Sequence, residues 1–131
     1  ITSPLQRCRK LAEFVGAALT LPVEIDARLQ EMDFGTWEGR AWNDIPRAEL
    51  DAWAQDFLHA RPHGGESVAD LKARADQAVA DLDPSQGDIL LVTHAGIVRA
   101  LFAKGPDAHH FQTDIDYGGL LRFPHNKEAP G

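Results

Sequence analysis

The stretch over residues 88–101, DILLVTHAGIVRAL, constrains what this chain can fold into more than any other. Ile89, Leu90, Leu91 and Val92 form a short apolar run, Thr93-His94-Ala95-Gly96 interrupts it, and Ile97, Val98, Leu101 and Phe102 then recur at helical spacing. The pattern reads strand, tight turn, helix. An apolar run without polar alternation fits a strand buried on both faces, which is the habit of parallel strands inside an α/β sheet. His94 then stands at the carboxyl end of that strand, where such sheets gather ligands and where the free amides of the following helix favour an anion. A histidine at a strand end is also commonly a hydrogen-bonded, partly buried residue with no chemistry, so His94 alone decides nothing.

The 131 residues are the size of one ordinary domain, and residues 1–131 are read as a single one. Lys and Arg number 13 against 20 Asp and Glu, a net charge of −7 that speaks against general affinity for nucleic acid or an anionic membrane. Any anionic substrate must therefore find a local basic pocket. No apolar run is long enough to span a bilayer and no charged-then-apolar leader is visible, so the expectation is a soluble, cytoplasmic protein. The single Cys8 has no disulfide partner and is read as packing against the sheet.

Along the chain, Ile1-Thr2 reads as the tail of a strand and Ser3-Pro4-Leu5-Gln6 as the start of a helix, with Ser3 as cap and Gln6 at the capping-box position. Leu5, Cys8, Leu11, Ala12, Val15 and Leu19 supply its apolar stripe. Arg7 falls in the first turn, aimed at the same sheet edge as His94, although an isolated Arg early in a helix is ordinarily a solvated one. Residues 23–26 suit a short edge strand. Residues 28–39 mix apolar anchors with carboxylates and glycines and read as extended chain and turn; Glu31 there is a candidate general acid, while composition alone leaves Glu31, Asp33 and Glu38 as solvated charges around Phe34 and Trp37. Asn43 or Asp44 caps an amphipathic helix over 46–60, and Ser67 with Asp70 opens another through Val68, Leu71, Ala75, Ala78, Val79 and Leu82. Residues 107–117 form a loop or short helix, 118–123 a final strand, and 126–131 a loose polar tail.

Three places in this order carry a resemblance. Thr2-Ser3-Pro4-Leu5-Gln6-Arg7, Glu31-x-x-Phe34-Gly35-x-Trp37-Glu38-Gly39 and Val92-Thr93-His94-Ala95-Gly96 resemble three blocks of the histidine phosphatase superfamily, the phosphoglycerate-mutase-like enzymes, over nearly the whole chain. The middle block, with Ile45-Pro46-Arg47-Ala48-Glu49-Leu50-Asp51-Ala52-Trp53 and Gly64-Gly65-Glu66-Ser67, looks most like the α-ribazole phosphatase branch, which acts late in cobalamin biosynthesis. The resemblance implies a three-layer α/β sandwich and a two-step hydrolysis of a small phosphomonoester through a phosphohistidine, with no metal and no cofactor. It makes Arg7 a phosphate ligand assisted by Arg9 and the Ala95 amide, Glu31 the proton donor to the leaving oxygen, and His94 the second histidine, which stabilises phosphoryl charge. His59, His63, His109, His110 and His125 show no metal-ligand spacing.

One departure is large. The family's Arg-His-Gly, which supplies the nucleophilic histidine and a second phosphate-binding Arg, occurs nowhere in the chain. The expectation is a C-terminal piece of such an enzyme, lacking the first strand, the following helix and the nucleophile, inactive by itself, with a homodimer by strand exchange left open. The alternatives are a nucleophile-less domain that binds phosphorylated ligands, and a mutase-like or broad-specificity phosphatase.

Overall fold

The structure, a computed structural model, describes residues 1–123. Three short extended segments run parallel through its middle, with residues 1–3 between residues 24–26 and residues 90–92. Thr2 pairs with Ile25 on one side and Val92 on the other. Thr2 N donates to Glu24 O at 2.8 Å and Asp26 N to Thr2 O at 2.9 Å, while Ser3 N donates to Val92 O and Val92 N to Ile1 O, both at 2.9 Å. Thr2 and Ser3 are fully buried. Parallel neighbours need a crossover, which helix α1 (Gln6–Leu19) provides between the first two segments.

Helix α1 turns Cys8, Ala12 and Gly16 inward. These small residues at i, i+4 and i+8 let the helix lie close to the segments beneath it. Leu11 and Leu19, expected on the buried stripe, are instead 48% and 63% exposed, beside Phe14 at 73%. The capping box is also not formed: Leu5 is the cap residue, and the Ser3 hydroxyl accepts the Leu5 amide at 3.3 Å from outside the helix. Helix α2 (Arg47–Gln55) is shorter than its apolar spacing predicts. Pro46 precedes it in place of Asn43 or Asp44, and at its other end Asp56 leaves the helical region and its carbonyl accepts the amides of His59 and Ala60 in a turn. Helix α3 (Val68–Ala80) starts as expected, with the Ser67 hydroxyl accepting the Asp70 amide at 3.1 Å. Helix α4 (Ala95–Phe102) follows residues 90–92.

The core lies between α3, α4 and a 3₁₀ turn at Ala27–Leu29, where Leu29, Met32, Leu71, Ala75, Ile97, Ala100 and Phe111 meet. Leu29 and Ile97 are wholly buried, each stabilising the fold by about 1.5–3 kcal/mol. With α1 apart from this cluster, the order is helix, extended segments, helix pair, the three-layer α/β arrangement expected. Two further expectations fail. The 89–92 segment is not buried on both faces, since Leu90 is 42% exposed and its neighbours are half-buried. Residues 118–123 join no strand pairing among the described residues: Leu120 is exposed, Arg122 faces Asp88 at 3.9 Å and Phe123 rests edge-on against Phe102 at 5.3 Å. Residues 107–117 contain a 3₁₀ turn, Ala108–Phe111, and the tail over 126–131 lies outside the described residues. No helix among the described residues is long and apolar enough to cross a membrane.

Candidate active site

His94 ends the third extended segment and precedes α4, so the backbone delivers its ring to the edge where α1 also begins. An Arg7 Nη lies 3.2 Å from His94 Nδ1, and the Ser3 hydroxyl lies 2.9 Å from Nε2. Arginine can only donate, so Nδ1 is the acceptor and the proton of the neutral ring sits on Nε2, donating to Ser3 Oγ. Burial pushes the His94 pKa down, with Arg7 and Arg74 acting in the same direction and Glu31 opposing. The ring therefore rests neutral, its Nδ1 lone pair turned toward the exposed Arg7. Cys8 packs against it, Sγ 3.6 Å from Nε2, and donates to the Thr93 carbonyl at 3.6 Å; burial raises this thiol's pKa, which suits packing rather than reaction.

Glu31 arrives from the turn after Leu29. Its Oε2 accepts the Gly96 amide at 3.2 Å in the first turn of α4, and its Oε1 accepts the Met32 amide at 2.9 Å. A Cβ at Gly96 would collide with the carboxylate, so only glycine leaves room for the acid on the helix end. Arg7, His94, Glu31 and the start of α4, with Ala95 at its first position, thus meet where the sequence predicts. Arg9 does not join them: it pairs with Glu13 on the surface of α1 at 3.8 Å, because the two residue steps from Arg7 turn its side chain by about 200° around the helix.

Three further groups escape sequence reasoning. Arg74 of α3 grips the Glu66 carboxylate with two N–H groups, at 2.7 and 2.9 Å, and sends the others to the carbonyls of Arg28, Gln30 and Glu31 at 2.7, 2.6 and 3.3 Å. His63 is 1% exposed, packed edge-on against Trp37 at 5.0 Å and Phe34 at 6.0 Å, with Nδ1 accepting the Gly65 amide at 2.8 Å. Its Nε2 and the Trp53 Nε1 are buried without a hydrogen-bond partner. Asp107, His109 and His110, which lack metal-ligand spacing in the sequence, bring their ligand atoms within 4.8 Å of one another in the turn after α4, although His110 Nδ1 already accepts the Asp107 amide. Among these, only the Glu66 and Arg74 pair borders Glu31, across a cleft of about 520 Å³ whose walls also include Asp33, Asp70, Gly64 and Gly65.

The family model of the histidine phosphatase superfamily (branch 1) matches residues 1–130. The chain is 34% identical over 124 residues to the adenosylcobalamin/alpha-ribazole phosphatase of Escherichia coli (strain K12), covering 87% of this chain and 61% of that protein. It is 36% identical over 117 residues to the glucosyl-3-phosphoglycerate phosphatase of Mycobacterium tuberculosis (strain ATCC 25618 / H37Rv), covering 79% and 52%. A solved structure described as mycobacterial hydrolase 2 superposes with a TM-score of 0.71 at 35% identity, over 84% of this chain and 54% of the other. The chain thus spans between half and two thirds of the length of these relatives. Their identities to it are nearly equal, so the likeness to the α-ribazole branch read from the middle block is shared with a second kind of phosphatase.

Proposed function

Since the chain belongs to the histidine phosphatase superfamily, we propose that it carries the phosphate-binding and proton-donating half of a phosphomonoester hydrolase working through a phosphohistidine. The observation that carries this reading is the meeting of Arg7, His94 and Glu31 around the first turn of α4. A phosphoryl transition state spreads negative charge over its equatorial oxygens, so a guanidinium, an imidazolium and helix-end amides lower its energy, while the departing alkoxide needs a proton. When phosphate draws Arg7 away, His94 Nδ1 loses its donor. It then takes up a proton and donates to the anion in turn. Glu31 protonates the leaving oxygen from the α4 side. The nucleophile is a histidine not among these residues, because Arg-His-Gly is absent from them.

Toward substrate, the cleft beside Glu31 is acidic. Arg74 is consumed by Glu66 and by three carbonyls, which leaves Asp33 and Asp70 on the walls. A neutral or cationic leaving group such as the α-ribazole nucleoside suits those walls better than one bearing a carboxylate, which favours the α-ribazole reading over the glucosyl-3-phosphoglycerate one. The second reading is a domain that binds phosphorylated ligands without turnover.

The test common to both is anion affinity. Vanadate or inorganic phosphate titrated into the protein should bind, and Arg7→Ala and His94→Ala should each weaken binding by about 1.5–3 kcal/mol, the scale of a charge-assisted hydrogen bond. Arg9→Ala should leave it unchanged. Unaltered affinity in both site variants would remove the site from this place.

A further inference from the structure

Arg74 stands 43 positions from Glu31 in sequence yet reaches its backbone carbonyl. All five N–H groups of Arg74 are engaged: Nε and one Nη donor on the two oxygens of Glu66, and the remaining three on the carbonyls of Arg28, Gln30 and Glu31. The Thr93 hydroxyl, next to His94, donates to the carbonyl of Leu29 at 2.6 Å. Every carbonyl from 28 to 31 is therefore held by a side chain, three from α3 and one from the site itself. Glu66 is fixed in turn, its amide donating to the Asp33 carbonyl at 2.8 Å. That approach is open only to glycine at 65, where a Cβ would collide with the same carbonyl.

We propose that Arg74, braced by Glu66, is a positioning residue that sets the direction of the Glu31 carboxylate onto the start of α4. A guanidinium is needed because its planar fork binds a carboxylate with one edge and spreads its other donors over separated acceptors, whereas a lysine ammonium is a single point. Both partners are mostly withdrawn from water, 22% and 18% exposed, so solvent does not compete strongly for the pair. Fixing the carbonyl of Glu31 removes the backbone freedom that would let its carboxylate leave the Gly96 amide. The inference rests on Glu31 as the proton donor for its catalytic meaning, and on geometry alone for the clamp.

The test uses the Gly96 amide, which reports the Glu31 carboxylate directly. In the whole chain, Glu31→Gln identifies the carboxylate-dependent shift of the Gly96 amide resonance. Arg74→Lys and Glu66→Gln should move that resonance in the same direction and speed its hydrogen exchange at least several-fold, with the α1 amides of Ala12 and Gly16 unmoved as a check on folding. Asp70→Asn, on the same cleft wall but outside the network, should leave it in place. If Arg74→Lys unfolds, Glu66→Gln carries the decision. A Gly96 amide indifferent to both overturns the clamp. With the nucleophile-bearing segment supplied, Arg74→Lys should slow alkyl phosphates about ten-fold or more while sparing aryl phosphates and vanadate affinity, since general acids contribute a factor of about 10²–10⁴. Equal loss on both substrates would mean a merely structural role. If Glu31→Gln itself spares alkyl phosphates, the proton-donor reading fails while the Gly96 measurement still judges the clamp.

Discussion

Glu31 and His94 touch the same turn of α4 yet answer to different physics. Glu31 accepts two backbone amides, so its lone pairs are committed to an aim, and its removal should matter only where a proton must be delivered. Glu31→Gln is expected to depress hydrolysis of alkyl phosphates strongly and to spare p-nitrophenyl phosphate, whose leaving group needs little protonation; equal losses would make Glu31 structural. His94 and His63 share a different property, since burial lowers both below the ordinary histidine value of 6.5. Just under that pH the unfolded chain binds more protons than the folded one, so stability is full above about pH 6.5 and drains away as the pH falls toward the folded values. Thermal midpoints should decline from pH 7.5 to pH 5, and His63→Gln should flatten the decline. A flat profile in the unaltered chain would contradict the burial of both rings. Arg7, Glu31 and His94 were legible because each sits in a short block with a recognisable neighbourhood. The contacts of Arg74, Glu66 and His63 were not, even though Glu66 lies in a quoted block, because their partners are carbonyls, amides, ring faces and each other's charges brought from other parts of the chain.

Local signals survive at the level of elements only where no distant group competes for them. Ser67 and Ser3 make the contrast: both precede a helix, but Ser67 binds the Asp70 amide as a cap while Ser3 Oγ is drawn to His94. Ser67→Ala should therefore lower stability by about 1 kcal/mol through α3 alone, read as a lower unfolding midpoint. Ser3→Ala should instead disturb the tautomer of His94. Helix α2 departs for a local reason: its apolar spacing runs on to Leu58, although the backbone breaks at Asp56, whose carbonyl accepts the His59 and Ala60 amides. Phe57 still reaches the aromatic cluster, its ring 5.0 Å from Trp53, so the pattern foretold burial correctly and helical continuity wrongly. The outward Leu11, Phe14 and Leu19 of α1 show the converse, since apolar periodicity cannot tell which of two faces a helix of small and large residues turns inward.

For the whole molecule, chemistry and packing point the same way. Without a placed nucleophile, residues 1–131 should show no significant phosphatase turnover, and a peptide carrying an Arg-His-Gly strand should restore activity and sharpen unfolding together. Steady hydrolysis by this chain alone, abolished by His94→Ala, would make His94 the nucleophile. The layered order was legible from the apolar run and the helical spacings, whereas the brevity of the pairing was not, since strand length depends on what lies alongside. The parallel pairing through Thr2 also has a consequence in time. Ser3 and His94 are 91 positions apart, so at synthesis rates of about 5–20 residues per second the serine waits on the order of 5–20 s for the ring it will hold. During that wait residues 1–3 can pair with residues 24–26, and Arg7 and Glu31 stand without the ring and the helix start they serve.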